Sequence, residues 1–232
     1  MDRGFVRLLT LTGALAVVFT ANAIGASLQD PKEEQRATDP TDQAALRSIV
    51  IQPLDMPGWR PFARYPPGGG SGCPKFDPDR SAFTITGETL GRQFTRRSSK
   101  IDEAFTSAAW SYATEDDALG EWKIYTSAAS VACTREQLTE ATPKGSLNVT
   151  ARAVPLGLPR VAPRQFTRRY RLLWFTGGEM GSIYFDDTYL GRGRAEVSLL
   201  VQRVGPDDKP PTAALERRLV RLLGERLNTA FP

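Results

Sequence analysis

The stretch Phe166-Thr-Arg-Arg-Tyr-Arg-Leu-Leu-Trp174 decides the fold of this 232-residue chain, because apolar and polar side chains alternate along it. Large apolar residues at 166, 170, 172 and 174 alternate with the polar residues Thr167, Arg169 and Arg171. A period of two places successive side chains on opposite sides of a β-strand. The stretch therefore predicts a strand with one buried face and one solvated face.

The stretch Ala195-Glu-Val-Ser-Leu-Leu-Val201 repeats this alternation further along the chain. Gly177-Gly178 and Gly191-Arg-Gly193 are typical of turns. Together these signals predict an antiparallel meander, with strands near residues 164–176, 180–190 and 194–204.

Two helices are predicted from start signals and apolar spacing. Thr114-Glu-Asp-Asp117 has the shape of a capping box, and apolar residues recur at helical spacing from there to about residue 141. A second helix begins at Thr212, with leucines on one side and Glu216 and several arginines on the predicted wet side. The order of strands and helices predicts a single α+β domain, a twisted antiparallel sheet with helices packed against it.

The first residues have the pattern of a secretory signal peptide. Arg3 and Arg7 precede an uncharged apolar run over residues 8–19, and Ala21-Asn-Ala23 follows as a small-x-small cleavage site. We therefore expect a signal peptide over residues 1–23, a flexible polar linker over 24–43 and the domain over 44–232. The expected location is secreted or in the cell envelope. The alternative is an uncleaved N-terminal anchor.

Cys73 and Cys133 are the two cysteines of the chain. In an exported protein, a pair of cysteines is expected to form a disulfide, because the compartment is oxidising. The alternative is a pair of unbridged or intermolecular thiols.

Composition excludes several classes of site. The chain has no histidine, which removes histidine-based triads, histidine acid–base catalysis and the commonest transition-metal ligand. The formal charge of +4 is spread among 26 carboxylates, which argues against DNA or RNA as a partner. We expect no cofactor, no metal and no enzymatic activity.

The charged residues of the chain suggest two hypotheses for a surface site. Arg169, Arg171 and Arg194 are candidate contacts for an anionic glycan or phospholipid headgroup, with Arg169 and Arg171 expected on the solvent side of their strand. Alternatively, Asp186-Asp187 with Glu179, or Asp116-Asp117, could supply paired carboxylates for glycan hydrolysis. Against this, consecutive strand residues point to opposite faces, and acids in a first helical turn complement the helix dipole.

Several short motifs, in order, resemble one known family. They are Leu54-Asp-Met-Pro-Gly-Trp59, Gly72-Cys-Pro-Lys-Phe76, Phe83-Thr-Ile-Thr-Gly-Glu88 and Ala108-Ala-Trp-Ser-Tyr-Ala113, followed by a helix that carries Cys133. The chain from about residue 46 to 227 is similar to the extracellular sensor domain of mycobacterial PknH-type serine/threonine kinases and to related exported actinobacterial proteins. The resemblance implies an antiparallel sheet with helices and a ligand-binding cleft. This sequence departs from it by having no kinase domain and one candidate disulfide instead of two.

These observations favour an exported, non-catalytic binding or sensor module for an unidentified small molecule or envelope component. Such a module is expected to contain a concave apolar pocket between sheet and helix. Peripheral contact with a membrane or cell wall is compatible with it. The alternatives are a carboxylate-dependent glycan hydrolase and a purely structural envelope protein.

Overall fold

A mixed β-sheet forms the centre of the structure, with helices on both of its faces. The computed structural model describes residues 31–62, 76–98, 101–140, 152–176 and 179–232. Its strands are β1 (Gln35–Arg36), β2 (Arg60–Phe62), β3 (Thr84–Leu90), β4 (Gln93–Arg97), β5 (Asp102–Tyr112), β6 (Arg152–Val154), β7 (Arg164–Thr176), β8 (Glu179–Arg192) and β9 (Ala195–Gly205). Its helices are α1 (Pro40–Ile49), α2 (Glu115–Tyr125), α3 (Ala128–Glu140) and α4 (Ala213–Ala230).

The strands lie in the order β1-β3-β5-β9-β8-β7-β6. β4 continues the edge beyond β3, because it pairs with the first half of β5 and carries β2 on its outer side. Every described pairing is antiparallel except the short one between β1 and β3. The fold is therefore the α+β domain that the sequence predicts, and its three C-terminal strands lie where the alternation placed them.

The larger core lies between one face of the sheet and the pair α1 and α4. Alternate residues of β9, among them Val197, Leu199 and Val201, are at most 2% exposed and pack under α4. Leu219 and Leu223 of α4 are fully buried against them. This layer holds the longest helix of the described chain in place.

The opposite face carries α2 and α3 over two smaller clusters. Tyr170, Leu172 and Phe185 form one with Leu138 of α3. Ile85, Tyr112 and Ala118 form the other, beneath α2. Residues that reach this face from β7 and β8 include the charged side chains of Arg168 and Asp187, both buried.

The predicted helix that begins after Thr114 is two helices. The Thr114 hydroxyl accepts a hydrogen bond from the backbone of Asp117, as its capping signal predicts. The helix ends at Tyr125, and the Ser127 side chain accepts from the Ser130 backbone to begin α3. Apolar spacing alone predicted one continuous helix. In the structure, Ser127 caps a new helix start within that stretch.

The linker prediction was wrong for residues 35–43. The backbone N–H of Gln35 donates to the Phe83 carbonyl in the β1–β3 pairing. α1 begins at Pro40, where Asp39 caps it by accepting from two backbone N–H groups. Asp42 is only 4% exposed, so this polar stretch belongs to the domain.

Several other predictions can be placed against the described ranges. The signal-peptide segment and Cys73 lie outside the described residues, so cleavage and the disulfide stay predictions. Cys133 lies in α3 and is half-buried. Within the described ranges, no helix is long and apolar enough to cross a membrane.

Candidate functional site

The arginines predicted to contact an anionic ligand each bind a carboxylate of the chain itself. Arg169 donates from Nε and Nη2 to the two Asp186 oxygens, at 2.6 and 2.5 Å. Arg171 binds Asp208, and Arg194 binds both oxygens of Asp42.

Of the two arginines expected on the solvent side of their strand, Arg171 is 41% exposed, but Arg169 is not on the surface. The Arg169 side chain is 18% exposed, because it lies under α4 and not in solvent. Arg171 shares that face, but Arg194 lies in the turn between β8 and β9 and reaches across to α1. The three guanidinium groups therefore do not gather on one exposed face.

Asp186 and Asp187 point to opposite faces of the sheet, as strand geometry predicts. Asp186 instead lies near Glu216 of α4, a residue that the helical pattern wrongly placed on the wet side. Burial, together with a hydrogen bond to Asp186, raises the pKa of Glu216 to about 9. This carboxyl pair is enclosed, with side chains 1% and 4% exposed, so it offers no surface to a glycan.

Asp116 and Asp117, which were also proposed for hydrolysis, lie at the start of a helix. They occupy the first turn of α2, and Asp117 accepts a hydrogen bond from the Thr84 backbone. The side chain of Glu179 lies outside the described residues. Across the described ranges, no group of three or more acidic or cysteine side chains is placed to hold a metal ion.

On the α2 side of the sheet lies a cluster that the sequence analysis missed, here called the Arg168 cluster: Arg168, Asp187, Tyr125, Phe166 and Tyr189. Arg168 donates from Nε to Asp187 Oδ2 at 2.9 Å, and the Tyr125 hydroxyl donates to the same oxygen at 2.7 Å. The guanidinium lies 4.6 Å from the Tyr125 ring centroid and 5.4 Å from that of Phe166. Tyr189 stacks on Tyr125 with centroids 3.6 Å apart.

Burial dominates the electrostatics of this face. It raises the pKa of Asp187, against the lowering effect of Arg168 and Tyr125. It also raises the pKa of Glu196 to about 8 and that of Glu121 to about 7. Burial therefore disfavours the charged form of each of these three carboxyl groups.

A sequence signal for the Arg168 cluster existed in the hairpin register. Counting outward from Gly177-Gly178 places Arg168 opposite Asp187 and Arg169 opposite Asp186, and the structure has both pairings. Opposite charges directly across two strands are expected to interact. The sequence does not show which helix covers each pair.

A second candidate site is an open groove of about 570 Å³ on the outer side of α4, here called the α4 groove. It lies between α4 and the 3-10 turn at Pro53–Asp55, not between sheet and helix where a pocket was expected. Its lining includes Leu54, Asp55, Arg217, Arg218, Arg221 and Leu222.

Comparisons of the chain with protein-family models, with curated proteins and with solved structures give no match. The likeness to kinase sensor domains therefore stays an expectation from the sequence motifs.

Proposed function

We propose that the protein is a non-catalytic binding module for an anionic component of the cell envelope, and that the α4 groove receives it. The observation that carries this proposal is a concave surface lined by three exposed arginines of one helix. Arginine suits such a role because its planar fork matches phosphate and carboxylate oxygens.

The α4 groove contains arginines that no carboxylate of the described chain binds, unlike Arg169, Arg171 and Arg194. Arg217 and Arg221, one helical turn apart, form no ion pair within the described part of the chain. Asp55 adds little negative charge at the site, because Arg226 binds both of its oxygens at 2.8 and 2.7 Å. An incoming anion therefore meets two unpaired guanidinium groups, and Glu225 is the other carboxylate of the lining.

Leu54 gives the α4 groove an apolar side. It is 96% exposed at the tip of the 3-10 turn, while the Arg218 side chain donates to the carbonyl of the adjacent Asp55 at 2.6 Å. A charged wall beside an exposed leucine fits a ligand that is anionic at one end and apolar at the other. Anionic phospholipids, which join a charged headgroup to apolar acyl chains, have this character.

The expected export, the absence of histidine and the resemblance to sensor domains are consistent with this proposal. Of the alternatives, hydrolysis has the weaker geometric support, because the described carboxyl pair of Asp186 and Glu216 is enclosed. A purely structural envelope protein would make no use of an open arginine-lined groove.

The test is co-sedimentation of the full chain with phosphatidylglycerol vesicles and with phosphatidylcholine vesicles. We expect binding to the anionic vesicles only, weakening with salt because exposed charges are screened over about 8 Å at physiological ionic strength. The double variant Arg217→Gln/Arg221→Gln should lose most of this binding. The control Arg92→Gln/Arg135→Gln removes the same charge from exposed positions elsewhere, and equal loss in both doubles would reject the α4 groove as the site.

A further inference from the structure

Arg168 and Arg169 are neighbours on β7 whose pairings differ in one respect. Arg169 meets Asp186 through Nε and Nη2, so both carboxylate oxygens are bound. Arg168 meets Asp187 through Nε alone. The Nη1 and Nη2 atoms of Arg168 therefore form no hydrogen bond with Asp187.

These two nitrogen atoms are buried. Arg168 is 2% exposed, and neither Nη1 nor Nη2 has a hydrogen-bond partner among the described residues. Asp187 is also 2% exposed, and its Oδ1 is likewise unpaired within those residues. Native proteins rarely leave charged donors and acceptors buried without partners, since each forfeits its hydration.

The unpaired atoms define what they can bind. Two N–H groups on one edge of a planar guanidinium match the two oxygens of a carboxylate. The unpaired oxygen of the same ion pair, Asp187 Oδ1, needs a donor, such as a hydroxyl or an ammonium group. The rings of Tyr125 and Phe166 lie beside the guanidinium, with their centroids 4.6 and 5.4 Å from its carbon.

We propose that Arg168 and Asp187 form a binding site for a small organic acid that carries a hydrogen-bond donor beside its carboxylate. The acid binds between the sheet and α2, on the opposite face from the α4 groove, so this site is independent of the proposed function. Arg168 holds the carboxylate, and Asp187 Oδ1 accepts from the neighbouring donor.

Two probes separate these contributions: glycolate, which has the hydroxyl, and acetate, which lacks it. By titration calorimetry on the full chain, we expect glycolate to bind about tenfold more tightly than acetate, because only glycolate satisfies Asp187. Equal affinities, or no glycolate binding, would overturn the proposal.

Matched variants locate the site. Arg168→Lys keeps the charge but loses the planar fork, and should weaken glycolate binding about tenfold. Arg169→Lys makes the same change one residue away on the other face and should leave glycolate affinity unchanged. The reverse result would place the anion under α4 and overturn the assignment.

A crystal structure of the parent protein soaked in glycolate decides the matter even if Arg168→Lys fails to fold. Glycolate bonded to Nη1 and Nη2 supports the site. Ordered water alone at both nitrogens would show that the cluster is a hydrated core ion pair, and would overturn it.

Discussion

Asp186 and Asp187 are consecutive residues of β8, and each binds the arginine opposite it on a different face of the sheet. Asp186 accepts from Arg169 beneath α4, whereas Asp187 accepts from Arg168 and from Tyr125 of α2. One dipeptide therefore connects the sheet to both helical layers. Because both carboxylates are at most 2% exposed, neither pair is a surface ion pair of small energetic effect.

Replacing Arg194 by glutamine is expected to destabilise the protein by about 2 kcal/mol, because Asp42 would keep its buried charge without its main partner. Urea unfolding measures this loss. Arg171→Gln is the control, since Arg171 and Asp208 are 41% and 40% exposed and the pair should contribute less than about 1 kcal/mol. Equal unfolding midpoints for the two variants would show that the Arg194 pair does not brace the fold.

Glu216→Gln is expected to stabilise the protein at pH 9 and to change little near pH 4. The folded protein raises the pKa of Glu216 from 4.5 to about 9, so the folded state holds this proton more tightly than the unfolded state. Its contribution to stability is full below pH 4.5 and is lost as the pH rises towards 9. Glutamine cannot ionise and escapes this loss, which should exceed about 1 kcal/mol. Thermal unfolding across pH tests it, and parallel profiles for parent and variant would contradict the assignment.

Gly224→Ala should destabilise the protein, although alanine is the better helix former by about 1 kcal/mol. A Cβ at Gly224, in the middle of α4, would lie 2.6 Å from Cγ2 and 2.7 Å from Cβ of Val161. Overpacking of this kind costs about 1–3 kcal/mol. Gly157→Ala is the control, because a Cβ there meets nothing within 4 Å. A gain in stability for Gly224→Ala, read from urea unfolding, would show that α4 shifts freely.

The Cys73–Cys133 disulfide is expected in protein recovered from an oxidising compartment. Mass spectrometry after alkylation without reduction should find neither thiol modified, and reduction should lower the unfolding temperature because it removes a cross-link from the unfolded chain. Alkylation of both cysteines in unreduced protein would contradict the pairing.

The sequence predicted the C-terminal meander and α4 closely, because their signals are local. Alternation marks β7 and β9, and the leucine spacing marks α4. The division at Ser127 and the start of α1 at Pro40 were missed because each depends on the side chain of one capping residue, which periodicity does not reveal.

The candidate sites were harder to predict because each combines distant elements. Hairpin counting could have paired Arg168 with Asp187, but not shown that Tyr125 covers them. Asp42, the partner of Arg194, lies in the segment predicted as a linker, and Asp55, the partner of Arg226, lies shortly after it. No local pattern reports such pairings, so arginines that brace the fold looked the same as arginines that could bind a ligand.

The pairing of β5 with β9 also sets the order in which the protein can form. During synthesis β5 appears early, but its partner on the inner side of the sheet follows only after α2, α3, β6, β7 and β8. Until then β5 can pair only with β3 and β4, and its other backbone edge stays open to any extended chain nearby. A chain truncated before residue 195 would therefore expose this edge and be prone to aggregation.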